Sequence, residues 1–358
     1  MRVLINKSYT LWFPIYVLND PKYQESYLGF MHIIVFILSL VCICFTIYVA
    51  YIIIKIRVYH INYTVLTFYF ICLYFEAIFA KYSIILYQIG VLKIPGIDEK
   101  YTGWWSEGIE NIAQINSAND AITMIIGSFL IWHYLYSVIT LVFFISLERT
   151  IATYVIRSYE TNRRVYVSIF LIFMSNCLSL FLATTAFTDF FTFPPLMIFN
   201  GLINIFSLML FGIITHINNS INRKMNKETV STFYSLPYRF QMKENIRTLK
   251  LSKRVIVSVG CYILIFCIVL FVLYCETLPS LNMLLIFTLE SGIYLNPLII
   301  CPIMIFSVKP YSKVFRRHLK NISILQYCCN INERVEQLKT TAPQETEIYF
   351  INLKNSWN

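Results

Sequence analysis

Seven stretches of this chain run for about 20 residues or more with almost no charge, and each is long enough to cross a hydrocarbon layer of roughly 30 Å as a helix. They extend from about Gly29 to Ile54, Thr64 to Leu86, Ala121 to Leu147, Val167 to Phe187, Leu196 to Ile217, Val255 to Tyr274 and Leu281 to Phe306. Backbone groups in lipid must find partners within their own segment, so the expected state is helical. The alternating apolar pattern of a membrane barrel strand is absent. Only 13% of the residues are charged, against about 25% in soluble domains, so there is too little charge to cover a water-facing surface. The fold class predicted is an all-α membrane protein, a seven-transmembrane helix bundle. Residues 1–28 form an N-terminal segment, 29–307 the helix domain and 308–358 a tail.

The connections assign the sides. Those on one side, with the tail, hold 23 Lys and Arg; those on the other hold five. Lys and Arg in short loops stay on the cytoplasmic face, so the N-terminus is predicted outside and the C-terminus in the cytoplasm. The net charge of +10 is then a topology signal and no nucleic-acid footprint. The nearest partner of these residues is the anionic inner face of the lipid bilayer. No cleavable signal peptide is expected: Pro14 interrupts the apolar "YTLWFPIYVL", and no small-x-small site follows.

Two connections are long. Gln88 to Asp120, on the outer side, is acidic and carries Trp104 and Trp105, which reads as an interfacial anchor or as a lid. Asn218 to Arg254, on the inner side, reads as a basic loop. In the tail, Val314, Phe315, Leu319, Ile322 and Leu325 recur among basic residues, as in an amphipathic helix on the inner leaflet. Cys328 and Cys329 follow it and are candidates for palmitoylation, with plain free thiols as the alternative. Asn6 opens "NKS", a glycosylation acceptor on the outer side.

Catalytic chemistry finds no support. There is no HExxH, no phosphate-binding glycine loop and no GxSxG, and the five His have no metal-ligand spacing. Neither an enzyme nor a cofactor or metal is expected. Charged and polar groups inside the apolar runs are more informative, because they are costly in lipid and tend to face an interior. Glu76, His133 and Glu290 are candidates for ligand binding, with structural contacts between helices as the alternative. Lys81 points about 140° away from Glu76 on a helix and lies near the outer surface, which it could reach by snorkelling. A transporter or channel lined by Glu76, Lys81 and Glu290 is the competing function.

The most unusual stretch is "SLERTIATYVIRSYE", Ser146 to Glu160. Twenty-five uncharged residues, 121–145, precede it, and then Glu148 and Arg149 arrive together at the cytoplasmic end of the third run. The rule that places cations inside does not require the acid. An adjacent Glu and Arg at a membrane edge suit a two-state latch, with the Arg held in one state and freed in the other.

The position of Glu148 and Arg149 resembles that of the acidic-Arg-aromatic motif of rhodopsin-like G protein-coupled receptors, with Thr150 in place of the aromatic residue. Asn296 and Pro297 in "LNPLII" resemble the Asn-Pro motif of the same class, with Ile300 where a Tyr is usual. A closer resemblance is carried by "LERTIATYVIRSYETNRRVY", with Glu148, Arg149, Ala152, Thr153, Tyr159 and Glu160, and by "LWFPIY" and "YFINLKNSWN". These are similar to the nematode serpentine receptor class epsilon (Sre) chemoreceptors. The resemblance implies a chemosensory receptor in the plasma membrane of sensory cells. Its implied partners are an external small-molecule ligand and a heterotrimeric G protein, with Glu148, Arg149, Asn296 and Pro297 in the switch.

Overall fold

The computed structural model describes residues 1–15, 17–19, 26–56, 58–95, 97, 101–102, 112–155, 165–191, 193–227, 236–275 and 278–320. Seven helical spans in it are long and apolar enough to cross a membrane. They are built from α1 (Ser26–Lys55), α2 (Ile61–Cys72) with α3 (Tyr74–Gln88), α4 (Ile122–Tyr154), α5 (Val165–Phe187), α6 (Phe193–Lys227), α7 (Leu236–Tyr274), and α8 (Asn282–Leu295) with α9 (Pro297–Ser307). A shorter helix, α10 (Lys309–Lys320), follows. The chain divides into one unit of Met1–Ser312 and a second of Lys313–Asn358. Of the second, the described part is the end of α10, where Val314, Phe315 and Leu319 alternate with basic residues.

The bundle exposes apolar side chains that a soluble protein would bury, and it buries small polar ones between its helices. Phe30, Ile33, Phe173, Ile205 and Leu264 point outward and exposed, whereas Ser128, Ser137, Ser168, Ser175 and Ser207 are fully buried between helices. Lipid is as apolar as leucine, so apolar side chains gain little by leaving it. Close packing of small residues and interhelical hydrogen bonds hold such helices together instead. The third span, α4, is the hub: it packs against α2, α3, α5, α6 and α7.

Two spans are broken. Pro297 has no N–H to donate and its ring crowds the preceding turn, which separates α8 from α9. Beyond the break, the Asn296 carbonyl accepts from the backbone N–H groups of Ile299 and Ile300, each at 3.0 Å. Leu73 interrupts the second span. The breaks are joined: Tyr74 Oη donates to the Tyr294 carbonyl at 3.0 Å.

The N-terminal segment is structured, which the sequence did not predict. Strand β1 (Arg2–Ile5) pairs antiparallel with β2 (Tyr9–Trp12), and it pairs parallel with a strand from the connection after the second span. With β3 (Val17–Leu18), β4 (Tyr101–Thr102) and β5 (Ala113–Ile115) in chain order, the sheet runs β2-β1-β5, and β3 pairs with β4. The hairpin turns on Asn6 (φ 51°) and Lys7 (φ 55°), and Ser8 N–H donates to the Ile5 carbonyl at 3.0 Å. Two successive left-handed residues make the type I′ turn that suits strand twist, and Asn tolerates that conformation better than most. Val3 and Ile5 point inward, fully buried, and Asn6 stands exposed at the tip.

The basic loop expected from Asn218 to Arg254 is a correction. Helix α6 continues to Lys227 and α7 begins at Leu236, so both run past the apolar edges that suggested their limits. Hydropathy marks where lipid ends, and a helix need not end there. Tyr16, Trp104, Trp105, Tyr159, Glu160, Ile322, Leu325, Cys328 and Cys329 lie outside the described residues.

Candidate functional site

At the basic end of the bundle, Glu148 and Arg149 are both buried, at 0% and 2% exposure. The two Glu148 carboxylate oxygens accept from Arg149 Nε and Nη2, a two-pronged contact that a guanidinium makes and an ammonium cannot. Arg149 Nη1 donates to Asn245 Oδ1 on α7 at 3.3 Å. The guanidinium also lies over the Tyr63 ring of α2, 5.0 Å from its centroid. Tyr63 Oη in turn shares a hydrogen bond of 3.0 Å with Ser252 Oγ on α7. One turn on, Thr153 Oγ1 donates to the Arg149 carbonyl at 2.8 Å and accepts from Asn218 Nδ2 of α6 at 2.9 Å. The second, third, fifth and sixth spans are thus tied together around a single cation. A charge this deeply buried is tolerable only while its partners stay in place.

Nearer the N-terminal end, the helices line a half-open cavity of about 240 Å³. Trp132, Tyr134 and Tyr136 of α4, Tyr262 and Phe266 of α7, and Asn296 at the seventh-span break are among its walls. Met1, Trp12, Phe13 and Pro14 line it from the N-terminal segment. The hairpin is fixed in that position by Trp132 Nε1, which donates to the Trp12 carbonyl at 2.8 Å, and by edge-on contact of the two indoles at 4.9 Å. Arg2 Nε lies 2.9 Å from the Asp189 carboxylate beyond α5. The Met1 amine donates to the Phe13 and Ile15 carbonyls, both at 2.7 Å. Within the cavity wall, Asn296 Nδ2 donates to Tyr134 Oη, and Tyr262 Oη donates to the Gly292 carbonyl. A Cβ on Gly292 would sit 2.1 Å from the tip of Phe266, so a larger residue there would push that ring aside.

The residues singled out from sequence fall into separate groups. Glu76 and His133 come together, with Oε1 and Nδ1 2.7 Å apart across α3 and α4. Glu290 accepts from Gln88 Nε2 at 2.8 Å and lies 3.6 Å from Lys81 Nζ. None of Glu76, His133 and Glu290 lines the cavity. Lys81 does not snorkel: it is buried, 3.3 Å from Gln88 Oε1, with its ammonium over the Tyr294 ring. An anionic partner inside the bundle outweighs the distant water. Asn296 is at the cavity and Glu148 with Arg149 at the far end of α4. Tyr63, Asn245, Tyr134 and Asn200 escaped sequence reasoning. Asn245 could have been found as an uncharged polar residue among cations, had α7 been carried back into the basic stretch. Among the described residues, no group of three or more His, Cys, Asp or Glu could hold a metal.

Comparison with known proteins places the chain in a family. The family model described as Sre G protein-coupled chemoreceptor matches residues 1–358. Serpentine receptor class epsilon-38 of Caenorhabditis elegans is 31% identical over 366 residues, covering 98% of either chain. Class epsilon-37 of the same organism is also 31% identical, covering 97% of both chains, and class epsilon-45 is 27% identical over 98% of this chain and 97% of its own. No solved structure matches the chain significantly.

Proposed function

The chain belongs to the Sre family of G protein-coupled chemoreceptors, and from that premise we propose that it detects an external small molecule and signals to a heterotrimeric G protein in a sensory cell. It is a multi-pass membrane protein of a receptor class. In the proposed orientation the hairpin faces outside and the basic end faces the cytoplasm, supported by the 23-to-5 division of Lys and Arg. The ligand occupies the cavity beneath the hairpin. The G protein meets the surface around Arg149.

The observation that carries this reading is that α4 bears both sites. Tyr134 stands in the cavity wall, and Arg149 is 15 residues further on, about 22 Å along the helix. A ligand that moves α4 against the seventh span at Tyr134 and Asn296 biases a two-state bundle in which Arg149 is held or released. Transport along Glu76, Lys81 and Glu290 has less support, because Glu76 is paired with His133 and Lys81 with Glu290.

The test is nucleotide exchange on purified heterotrimeric G proteins by the receptor in lipid nanodiscs, with and without Glu148→Gln. Exchange above the empty-disc rate, higher still in the variant, is expected. Absence of exchange with every Gα class, in a receptor that carries solute across vesicles, overturns the reading in favour of transport.

A further inference from the structure

The cavity wall restricts what can enter. No Lys, Arg, His, Asp or Glu is among its lining residues. The Met1 amine, the remaining ionisable nitrogen beside it, is pushed down to about 4 by burial and is uncharged at neutral pH. A charged ligand would lose its hydration here without meeting a countercharge, which is costly in an apolar site. Apolar side chains dominate instead, and among them Trp12, Trp132, Tyr136 and Phe266 offer dispersion contact and ring stacking to an apolar body.

Ser258, Asn296 and three tyrosines also line it, but one polar side chain in the wall has a buried atom without a partner. Asn200 of α6 is 6% exposed and lines the cavity. It shares a hydrogen bond with Tyr136, yet its Oδ1 has no partner. A buried amide oxygen left unpaired is costly, and the cost is recovered when a donor arrives. An apolar cavity of about 150 Å³ holds benzene, so about 240 Å³ corresponds by proportion to about ten non-hydrogen atoms.

We propose that the ligand is a neutral, mainly apolar molecule of about ten non-hydrogen atoms with a single hydroxyl, which donates to Asn200 Oδ1. This rests on the receptor reading given above and adds the ligand's chemical class and its anchor.

The experiment measures thermal stabilisation of the full chain in nanodiscs by a panel of neutral aliphatic and aromatic alcohols of about eight to twelve non-hydrogen atoms. Each alcohol is matched with its methyl ether, its primary amine and its carboxylic acid. At least one alcohol is expected to stabilise the protein, with its three counterparts each weaker by about tenfold or more. Asn200→Leu should lower the apparent affinity of that alcohol about tenfold and abolish its advantage over the ether. Val259→Phe, which fills the cavity, should abolish stabilisation and so exclude mere partition into lipid. An amine or acid that binds as tightly as its alcohol overturns the proposal, as does a panel with no binder. If Asn200→Leu fails to fold, the alcohol-to-ether comparison on the unaltered chain decides alone. Binding that never drives nucleotide exchange counts against the receptor reading and leaves the ligand class standing. Exchange driven by a charged compound that Val259→Phe blocks does the reverse.

Discussion

Asn296 donates a hydrogen bond from Nδ2 to Tyr134 Oη, and this contact couples the cavity wall to the break in the seventh span. Asn296 immediately precedes Pro297, which interrupts the helix, and its carbonyl caps the first turn of α9. Any molecule that displaces Tyr134 therefore acts on the break in the seventh span.

Tyr134→Phe removes the acceptor and leaves a buried amide group of Asn296 unpaired. The expected cost is about 1 to 3 kcal/mol of stability. If, as proposed, the contact belongs to the state in which Arg149 is held, its loss should also raise ligand-independent nucleotide exchange. A thermal midpoint and a basal rate both equal to the parent's would show that the bond does neither.

Lys81 and Glu290 predict a non-additive pair. Glu290→Gln leaves a buried ammonium without its counterion, at an expected cost of about 3 to 5 kcal/mol. The double replacement Lys81→Met with Glu290→Leu removes both charges and should be markedly milder than Glu290→Gln alone. Thermal denaturation of the three proteins in one detergent measures this. A double variant at least as unstable as the single one would mean that the ion pair contributes net stability.

The hairpin tip supplies a topology test that leaves the buried Met1 untouched. An epitope inserted between Lys7 and Ser8, both exposed, should be labelled on intact cells. An epitope after Asn358 should need permeabilised cells. If the sequon at Asn6 is used, Asn6→Gln removes a glycan. C-terminal labelling on intact cells would invert the bundle and place Arg149 outside.

The seven spans were legible because lipid imposes a length and a composition on anything that crosses it, and nothing else in a chain produces runs like 121–145. Glu148 and Arg149 stood out for the same reason, as an acid with no part in the charge asymmetry. The strands were not legible. Arg2–Ile5 is four residues long, and one of its partners, Ala113–Ile115, is more than 100 residues away. The cavity was hidden by abundance: the chain has 26 Tyr, 29 Phe and 5 Trp, and only packing selects the few that line it. Asn245 was hidden by its neighbours, since cations nearby made a helical stretch read as a loop. Asn200 sits in an apolar run that also holds Asn204, and neither amide names its partner.

The central claim is that Arg149 is held by Glu148 and Asn245 at rest and acts on the G protein when released. The most direct measurement is nucleotide exchange at matched surface expression for the parent, Arg149→Lys, Arg149→Ala, Glu148→Gln and Asn245→Leu. Lysine satisfies the charge asymmetry as well as arginine but cannot form the two-pronged contact, so both Arg149 variants should reach the surface and lose most of the evoked response. Glu148→Gln and Asn245→Leu should raise basal exchange. The coupling expected is about 1 to 3 kcal/mol, a change of roughly 5- to 150-fold. An Arg149→Ala receptor that signals like the parent would contradict the account and reduce Glu148 and Arg149 to a membrane boundary.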